Sequence, residues 1–281
     1  MNVATLQNNS RKQEVVHKME KETIIIKQEL NGVCEIILNQ PEKHNSLSAK
    51  MIEELTHTFK HLSSDDKAKV LIISSTGKSF CAGGDLDWMK KQIFSDRATR
   101  IKEATKLADL LYKMYYFPKP LIAKVEGNAF GGGIGIISVC DIAICKENVK
   151  LALTEVKLGL IPATISPYVI LKIGSNNALD LFTSGRNFNT QDAKKIGLIK
   201  TISTDDDIDN LISKEIKTFL VNAPSAISAS KKLVKNLSLK IDHETVKFTV
   251  EALADVWENP EAIEGINAFF EKRKPNWLME N

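Results

Sequence analysis

Residues 119–135 decide the fold of this chain, and they read Lys-Pro-Leu-Ile-Ala-Lys-Val-Glu-Gly-Asn-Ala-Phe-Gly-Gly-Gly-Ile-Gly. The short apolar run Leu121–Val125 predicts a strand of a sheet that is covered on both faces. Glycines follow this strand, three of them consecutive at 131–133, and the apolar run Ile134–Val139 then predicts a buried helix. A strand, a glycine-rich turn and a buried helix in this order indicate an α/β architecture.

The preceding part of the chain repeats this arrangement. Val70–Ser74 predicts a second buried strand, and the loop Thr76–Leu86 that follows it holds three glycines. Nearer the N-terminus, Thr23–Gln28 and Val33–Leu38 predict a hairpin, because the Asn-Gly pair between them favours a tight turn. Ser48 is a suitable N-cap for a helix whose apolar residues recur at helical spacing. Strands and helices therefore alternate in the first half of the chain.

The second half of the chain is predicted to be mainly helical. We divide the chain into a disordered tail at residues 1–21, an α/β core with the active site at residues 22–200, and a C-terminal helical region at residues 201–281. Such an arrangement suits a sheet-based core whose helices pack on a neighbouring subunit. The longer predicted helices are Arg97–Tyr116, Tyr168–Ile173, Asn177–Ser184, Thr190–Ile196, Asp207–Val221, Ser225–Leu237, His243–Trp257 and Glu261–Lys272.

The composition excludes several classes of protein. A net charge of +3 is too small to indicate a nucleic-acid or membrane surface, and no apolar run approaches the roughly 18 residues of a membrane helix. The four cysteines include no CxxC pair and no cluster with metal-ligand spacing, so we expect reduced, buried thiols and no metal. The polar N-terminal residues lack the apolar segment of a secretory signal, and we expect a cytoplasmic protein.

Three segments carry residues suited to chemistry: Ser79–Leu86, Gly127–Gly135 and Leu153–Pro162. The first two each join a strand end to a helix through small residues, which let a ligand approach the backbone. Free N–H groups at a helix N-terminus favour negative charge there. Two such donors that meet at one oxygen would form an oxyanion hole. The alternative is close packing of helix and strand without a ligand.

Other interpretations of these residues fit less well. Glu155 follows the glycines at the distance expected in a dinucleotide fingerprint, but the spacing Gly-Gly-Gly-Ile-Gly does not match that fingerprint. The glycines precede no phosphate-loop lysine, and the sequence has no Gly-x-Ser-x-Gly nucleophile elbow. His57 and His61 lie one helical turn apart without a third metal ligand in the sequence pattern, which is typical of a solvated helix face.

At these segments the sequence closely resembles the crotonase family, that is, the enoyl-CoA hydratase/isomerase superfamily. The resemblance extends from about Thr23 to Trp277. The stretches that carry it are Pro41–Leu47, Phe80–Leu86, Lys119–Ala123 with the glycines at 127 and 131–133, Cys140-Asp141, and Glu155 with Leu158–Pro162.

The resemblance implies a crotonase-like ββα superhelix whose C-terminal helices form a homotrimer, usually within a dimer of trimers. It implies that the N–H groups of Gly84 and Gly132 form an oxyanion hole for an acyl-CoA thioester, with coenzyme A present only as part of the substrate and no other cofactor. Phe269–Lys274 is implied to reach the coenzyme A of a neighbouring subunit. The residues implied to bind the coenzyme A part are His44, Ser46, Leu47, Ala82, Gly83, Asp85, Leu86 and Gly131.

The catalytic carboxylates depart from the family pattern. Hydratases of the family commonly carry two glutamates; the second matches Glu155, whereas the first position is Gly135 here. A second carboxylate would help to position and activate water, so its absence leaves open a Δ3,Δ2-enoyl-CoA isomerase, which needs one base. However, the run Thr154–Tyr168 resembles the bacterial methylglutaconyl-CoA hydratases of leucine breakdown, and these are similar to this chain in lacking the first glutamate.

The resemblance therefore favours a hydratase that acts on a branched, carboxylated enoyl-CoA. Glu155 would orient or deprotonate the water, or deliver the α proton. A general enoyl-CoA hydratase and the isomerase remain alternatives. Gly135 and Pro162 are expected to shape the acyl pocket, together with side chains near Trp88–Phe94 and Pro162–Tyr168. An RNA-binding crotonase-like protein is an alternative of another class, since basic clusters occur at 90–91, 231–232 and 272–274.

Overall fold

The computed structural model of this chain describes residues 15–204 and 207–278. Seven of its strands form a larger sheet and four form a smaller one. The strands are β1 Val15–Glu20, β2 Ile24–Glu29, β3 Val33–Leu38, β4 Val70–Ser75, β5 Ser79–Cys81, β6 Leu121–Val125, β7 Asn128–Phe130, β8 Ile142–Lys146, β9 Leu151–Ala152, β10 Asn187–Phe188 and β11 Thr201–Ser203. The larger sheet has the order β1-β2-β3-β4-β6-β8-β11, and the smaller has the order β10-β9-β7-β5.

The predicted helices begin and end within a few residues of their expected bounds, whereas the helix Leu86–Ile93 was not predicted. Ser48 caps the first helix as predicted, because its side chain accepts a hydrogen bond from the N–H of Met51. Across the described residues, no helix combines the length and apolarity of a membrane span. The helices are α1 Ala49–Ser64, α2 Leu86–Ile93, α3 Arg97–Tyr115, α4 Gly132–Val139, α5 Ser166–Ile173, α6 Ser175–Ser184, α7 Thr190–Lys195, α8 Ile208–Leu220, α9 Pro224–Leu237, α10 His243–Trp257 and α11 Pro260–Phe270.

Three successive ββα units build the superhelix. In each unit the first strand lies in the larger sheet and the second in the smaller sheet, giving the pairs β4–β5, β6–β7 and β8–β9. The second strands run parallel, with Ser79 opposite Asn128 and Ala129 opposite Leu151. The fold class predicted from the sequence is confirmed.

Both faces of the larger sheet are covered, which explains why its central strands are apolar throughout. On β4, Leu71 and Ile73 belong to the main core, whereas Val70 and Ile72 pack with apolar side chains of α8. Alternate residues of one strand point to opposite faces, so a continuous apolar run is what a doubly covered strand requires.

Two of the predicted boundaries need correction. The predicted disorder of residues 1–21 is wrong for residues 15–20, which form β1. This strand pairs antiparallel with β2 and provides hydrogen-bond partners for the outer edge of β2. Residues 1–14 lie outside the described residues. The boundary at residue 200 also divides the core, since β11 pairs with β8 and brings Thr201 opposite Ile144.

Helix α9 has no buried side chain. Leu233, Val234 and Leu237 are 60, 63 and 80% exposed. Two lysines attach the helix to the core: Lys231 pairs with a carboxylate oxygen of Asp141 at 2.5 Å, and Lys235 donates to the backbone carbonyl of Tyr115. An apolar face of this kind is typical of a surface that packs against another chain.

Candidate active site

The three segments singled out in the sequence meet at one edge of the smaller sheet. β5 ends at Cys81, β7 ends at Phe130 and β9 ends at Ala152, and these strands run parallel. Because the carboxyl ends of parallel strands lie at the same edge, the residues that follow them are neighbours in space. The two glycine turns and Glu155 are brought together in this way.

The first glycine turn is anchored by the loop at residues 41–47. The carbonyl oxygen of His44 accepts a hydrogen bond from the N–H of Ala82 at 3.0 Å, and the N–H of Leu47 donates to the carbonyl of Gly83 at 2.7 Å. The buried side-chain amide of Asn45 donates to two carbonyl oxygens of the adjoining loop. These bonds fix the backbone of the turn and leave the N–H of Gly84 without a partner among the described residues.

Asp85 and Ser46 form a second support of this turn. One carboxylate oxygen of Asp85 caps α2 by accepting from the N–H of Trp88 at 2.9 Å, and the other accepts from the Ser46 hydroxyl at 3.2 Å. Both side chains are buried. They hold the backbone in place, and their contact with coenzyme A stays a prediction.

The second glycine turn leads directly into α4. Gly132 is the first residue of this helix, so its N–H has no partner within the helix. A β-carbon added at Gly133 would lie 2.5 Å from the carbonyl oxygen of Cys81, and one added at Gly83 would lie 3.5 Å from the nitrogen of Gly132. The absence of side chains at these positions lets the two turns pack backbone against backbone.

The N–H groups of Gly84 and Gly132 donate no hydrogen bond within the described residues. Gly84 lies beside Leu47 in a parallel bridge, but the donor there is the N–H of Leu47. Gly84 and Gly132 both line one cavity. Two unpaired backbone donors at a single cavity are what an oxyanion hole requires.

Glu155 begins a 3-10 turn at Glu155–Leu158. Its carboxylate lies against the second glycine turn, since a β-carbon added at Gly131 would lie 2.8 Å from Oε1. Oε2 is enclosed and has no hydrogen-bond partner among the described residues. Burial raises the pKa of Glu155 to about 7, and no neighbouring charge shifts it. A carboxyl group that titrates near neutral pH is suited to both accepting and donating protons.

The cavity at this edge has a volume of about 370 Å³ and walls that are mostly apolar. It brings together most of the predicted site residues, whereas His44, Ser46, Leu47 and Asp85 support the first turn from outside its lining. The predicted residues that line it are Ala82, Gly83, Gly84, Leu86, Gly131, Gly132, Glu155 and Pro162.

Part of the cavity wall comes from the C-terminal helices. Leu253 and Trp257 of α10 and Phe269 of α11 line the cavity, and the ring of Trp257 meets that of Trp88 edge to face with centroids 6.4 Å apart. The lining of the candidate site therefore extends beyond residues 22–200, the range in which the active site was predicted. These residues share the spacing of any core-facing helix, so no signal in the sequence distinguishes them.

Gly135 does not line the cavity, and this corrects its predicted place in the acyl pocket. It lies inside α4, where a β-carbon would overlap Cγ2 of Ile165 and lie 3.0 Å from Cβ of Ile165. Ile165 is 2% exposed and itself lines the cavity. The space beside Gly135 is therefore filled by an apolar side chain.

Known proteins match this chain over nearly its full length. The model of a family described as enoyl-CoA hydratase/isomerase matches residues 28–280. The chain belongs to the enoyl-CoA hydratase/isomerase family. The crotonase resemblance is thereby confirmed, and the methylglutaconyl-CoA hydratase branch stays a prediction.

Two solved structures and one curated relative support this membership. An enoyl-CoA hydratase from Shewanella pealeana is 37% identical, with a TM-score of 0.75, and the alignment covers 91% of this chain and 96% of that one. An enoyl-CoA hydratase from Mycobacterium avium is 28% identical, with a TM-score of 0.79 and coverage of 92% and 100%. An enoyl-CoA hydratase of Alternaria alternata is 31% identical across 73% of this chain and 67% of its own length. The protein is an enzyme of this family.

Neither a metal nor a cysteine nucleophile has support among the residues that the structure describes. They contain no group of three or more His, Cys, Asp or Glu side chains placed to hold a metal ion. Cys81, beside the first turn, is fully buried, and burial raises the pKa of its thiol to about 12. A thiol with this pKa stays protonated at neutral pH and is a poor nucleophile.

The raised pKa of Glu155 predicts a pH-dependent effect on stability. Since the carboxyl group ionises at higher pH in the folded chain than in the unfolded chain, its contribution to stability is lost as the pH rises through about 7. Glutamine stays neutral. Relative to the unsubstituted protein, Glu155→Gln should therefore gain about 2 to 3 kcal/mol of unfolding free energy between pH 5 and pH 8.5, measured by denaturant unfolding. Glu42→Gln, which changes an exposed carboxylate, is the control; equal pH trends for the two variants would show the account of Glu155 to be wrong.

The packing at Gly135 predicts that a glutamate there cannot act in the cavity while Ile165 is present. Gly135→Glu should lower the free energy of unfolding by about 2 kcal/mol or more, through overpacking and a buried charge, without raising the hydration rate. The double variant Gly135→Glu with Ile165→Ala makes room for the side chain and should recover part of the lost stability. A stable single variant with faster hydration would contradict this description.

Proposed function

We propose that this enzyme adds water to, or removes it from, a 2-enoyl-CoA thioester, and that its substrate is 3-methylglutaconyl-CoA or a related branched, carboxylated enoyl-CoA. One observation carries the reaction class: two unpaired backbone N–H groups and a buried carboxyl group meet at one apolar cavity. The narrower acyl group rests on the resemblance of Thr154–Tyr168 to methylglutaconyl-CoA hydratases.

In the proposed reaction, the thioester carbonyl oxygen accepts hydrogen bonds from the N–H groups of Gly84 and Gly132. As the oxygen of water bonds to the β carbon, the electrons of the double bond move toward the carbonyl oxygen and an enolate-like charge develops there. The N-terminus of α4 favours this negative charge. Loss of one such donor in other enzymes costs about 2.7–4 kcal/mol of transition-state stabilisation.

Glu155 performs both proton transfers in this scheme. As a carboxylate it accepts a proton from the attacking water while the oxygen bonds to the β carbon. It then returns a proton to the α carbon as the enolate collapses to the thioester, so H and OH are added across the double bond and the carboxylate is regenerated. A pKa of about 7 suits a group that must act as base and then as acid.

The polar lining of the cavity supports a carboxylated acyl group. Lys157 is the one lysine or arginine among the described residues that line the cavity, and Thr154 and Thr164 add two hydroxyl groups. A carboxylate at the far end of the acyl chain would gain a charge-assisted hydrogen bond from Lys157. The remaining lining is apolar, as a branched carbon chain requires.

A Δ3,Δ2-enoyl-CoA isomerase is the second candidate. Glu155 is the single carboxylate on the described cavity wall, and one base is sufficient to move a proton between two carbons. The same oxyanion hole would stabilise the dienolate of that reaction. Because the two reactions share Glu155 and both donors, their substrates distinguish them.

RNA binding has little support from the surface charges. Lys231 pairs with Asp141, and Arg273 pairs with Glu264 and Glu271. Two of the three basic clusters are thus partly neutralised by acidic neighbours, which weakens their attraction for phosphate groups.

Glu155→Gln should lower kcat/KM for hydration by at least about 10²-fold, because the amide can neither accept the proton of water nor donate one to carbon. The assay compares 3-methylglutaconyl-CoA, crotonyl-CoA and a 3-enoyl-CoA, and the unsubstituted enzyme should show its highest kcat/KM with 3-methylglutaconyl-CoA. Glu42→Gln is the matched control. Full turnover by Glu155→Gln would refute the proposed role of this residue. If the unsubstituted enzyme is most active on crotonyl-CoA, the proposed branched, carboxylated acyl group is wrong. Highest activity on the 3-enoyl-CoA would favour the isomerase.

We also propose that the exposed apolar side chains of α9 form an interface between copies of this chain, in a trimer or a dimer of trimers. Leu233, Val234 and Leu237 point away from their own core, and Phe248 of α10 is also 71% exposed. The crotonase resemblance implies trimerisation by this C-terminal region. A second copy would bury the apolar area that the single chain leaves in water.

The double variant Leu233→Asp with Leu237→Asp should therefore lower the mass in solution from a multiple of the 31.3 kDa chain toward that of one chain. Light scattering after size-exclusion chromatography measures this mass. Leu30→Asp is the control, because Leu30 is 73% exposed in the β2–β3 hairpin turn, far along the chain from α9. An unchanged mass in the double variant would place the interface elsewhere.

A further inference from the structure

The turn that carries Glu155 rests directly on α11. A β-carbon added at Gly265, in the middle of α11, would lie 2.5 Å from both the carbonyl carbon and the carbonyl oxygen of Leu158. On the same side of the turn, a β-carbon added at Gly159 would overlap the backbone of Glu261, also in α11. The 3-10 turn and the helix therefore touch backbone to backbone at two places.

Apolar packing and an ion pair hold α11 in this position. Ile266 and Ala262 of α11 are fully buried in a cluster with Leu158, Leu160 and Trp257. Beyond the helix, Arg273 binds both carboxylate oxygens of Glu264, at 2.5 and 2.9 Å. The contact with the turn is thus part of a packed unit that also lines the cavity.

We propose that α11 is the positioning element for Glu155, and that Gly265 is the residue that sets the distance between this helix and the catalytic turn. The proposal rests on the proposed role of Glu155 in proton transfer. Leu158 and Glu155 are the two ends of one short turn, so a displacement of the Leu158 carbonyl moves Glu155 relative to Gly131 and the oxyanion hole.

Gly265 has no backbone conformation that requires glycine, since it lies inside a regular helix. An alanine in a helix interior ordinarily stabilises a protein relative to glycine. Here the added methyl group meets the backbone of the turn, which cannot rotate away as a flexible side chain would. Gly265→Ala should therefore favour the helix itself while it displaces the turn that carries Glu155, so the two effects have opposite signs.

A displaced turn should also change the environment of the carboxyl group. Burial raises the pKa of Glu155. No charged neighbour contributes to this shift, neither Lys157 on the turn nor the acidic side chains on the packed elements, which are Asp85, Glu261 and Glu264. Loosening the contact admits water to the carboxylate. The pH at which activity rises on the acid side should then move downward.

The test compares Gly265→Ala with the unsubstituted enzyme in the full chain. We expect kcat/KM for hydration of the best enoyl-CoA substrate to fall by about tenfold or more, because small misplacements of a catalytic group have effects of this size. We also expect the apparent pKa of the acid limb of the pH profile to fall below its value in the unsubstituted enzyme. Ile263→Ala, on the exposed face of α11, is the control and should leave both quantities unchanged.

Two further measurements keep the outcomes distinct. If Gly265→Ala does not fold, Ile266→Val loosens the same contact without overlap and should shift the acid limb in the same direction by a smaller amount. A loss of folded protein alone would lower the measured rate but leave the acid limb in place. If Glu155→Gln is inactive and Gly265→Ala keeps both its kcat/KM and its acid limb unchanged, this proposal is overturned and the proposed function stays intact. Full activity of Glu155→Gln would overturn the proposed function itself.

Discussion

The contact between the Gly131 backbone and the Glu155 carboxylate is the constraint around which the site is built. It exists because the second glycine turn has no side chains, so a carboxyl oxygen can lie against the backbone of the turn. The N–H of Gly132 is unpaired because Gly132 is the first residue of α4. The Glu155 carboxylate, on the 3-10 turn Glu155–Leu158, and the unpaired N–H of Gly132, at the start of α4, therefore lie beside the same glycine turn. A side chain at Gly131 would displace the Glu155 carboxylate, since its β-carbon would lie 2.8 Å from Oε1.

The burial of Glu155 depends on elements far away in the sequence. Trp257 from α10 and Phe269 from α11 line the cavity, and α11 also packs against the 3-10 turn at Gly265. Burial raises the pKa of the Glu155 carboxyl group to about 7. The smaller sheet positions the two glycine turns and Glu155, and the C-terminal helices line the cavity beside them. This division explains why the active site cannot be assigned to the ββα core alone.

The sequence predicts the features that arise from local patterns. The strand β4, the hairpin β2–β3, the capped helix α1 and the two glycine turns follow from apolar periodicity, an Asn-Gly pair and a capping serine. Glu155 is found from its motif, because the residues around it are distinctive. These signals lie within a few residues of one another, so they can be interpreted without knowing how distant segments pack.

Features that depend on contacts between distant segments could not be predicted from local sequence patterns. The pairing of β1 depends on the free edge of β2, and its own residues lack regular alternation. The space beside Gly135 is filled by Ile165, and the cavity wall includes Leu253 and Trp257; neither is marked by spacing or residue type. The pKa of Glu155 results from burial by residues that come before and after it in the chain, so it is a property of the fold.

The central claim is that Gly84 and Gly132 polarise a thioester carbonyl, and vibrational spectroscopy tests it most directly. A saturated acyl-CoA with a ¹³C label at the thioester carbonyl binds without reacting, and its carbonyl stretch can be isolated by infrared difference spectra with and without the label. We predict a lower stretching frequency in the bound state than in water, because two backbone donors weaken the carbonyl bond more than solvent does. A bound ligand whose carbonyl frequency equals that in water would contradict the account.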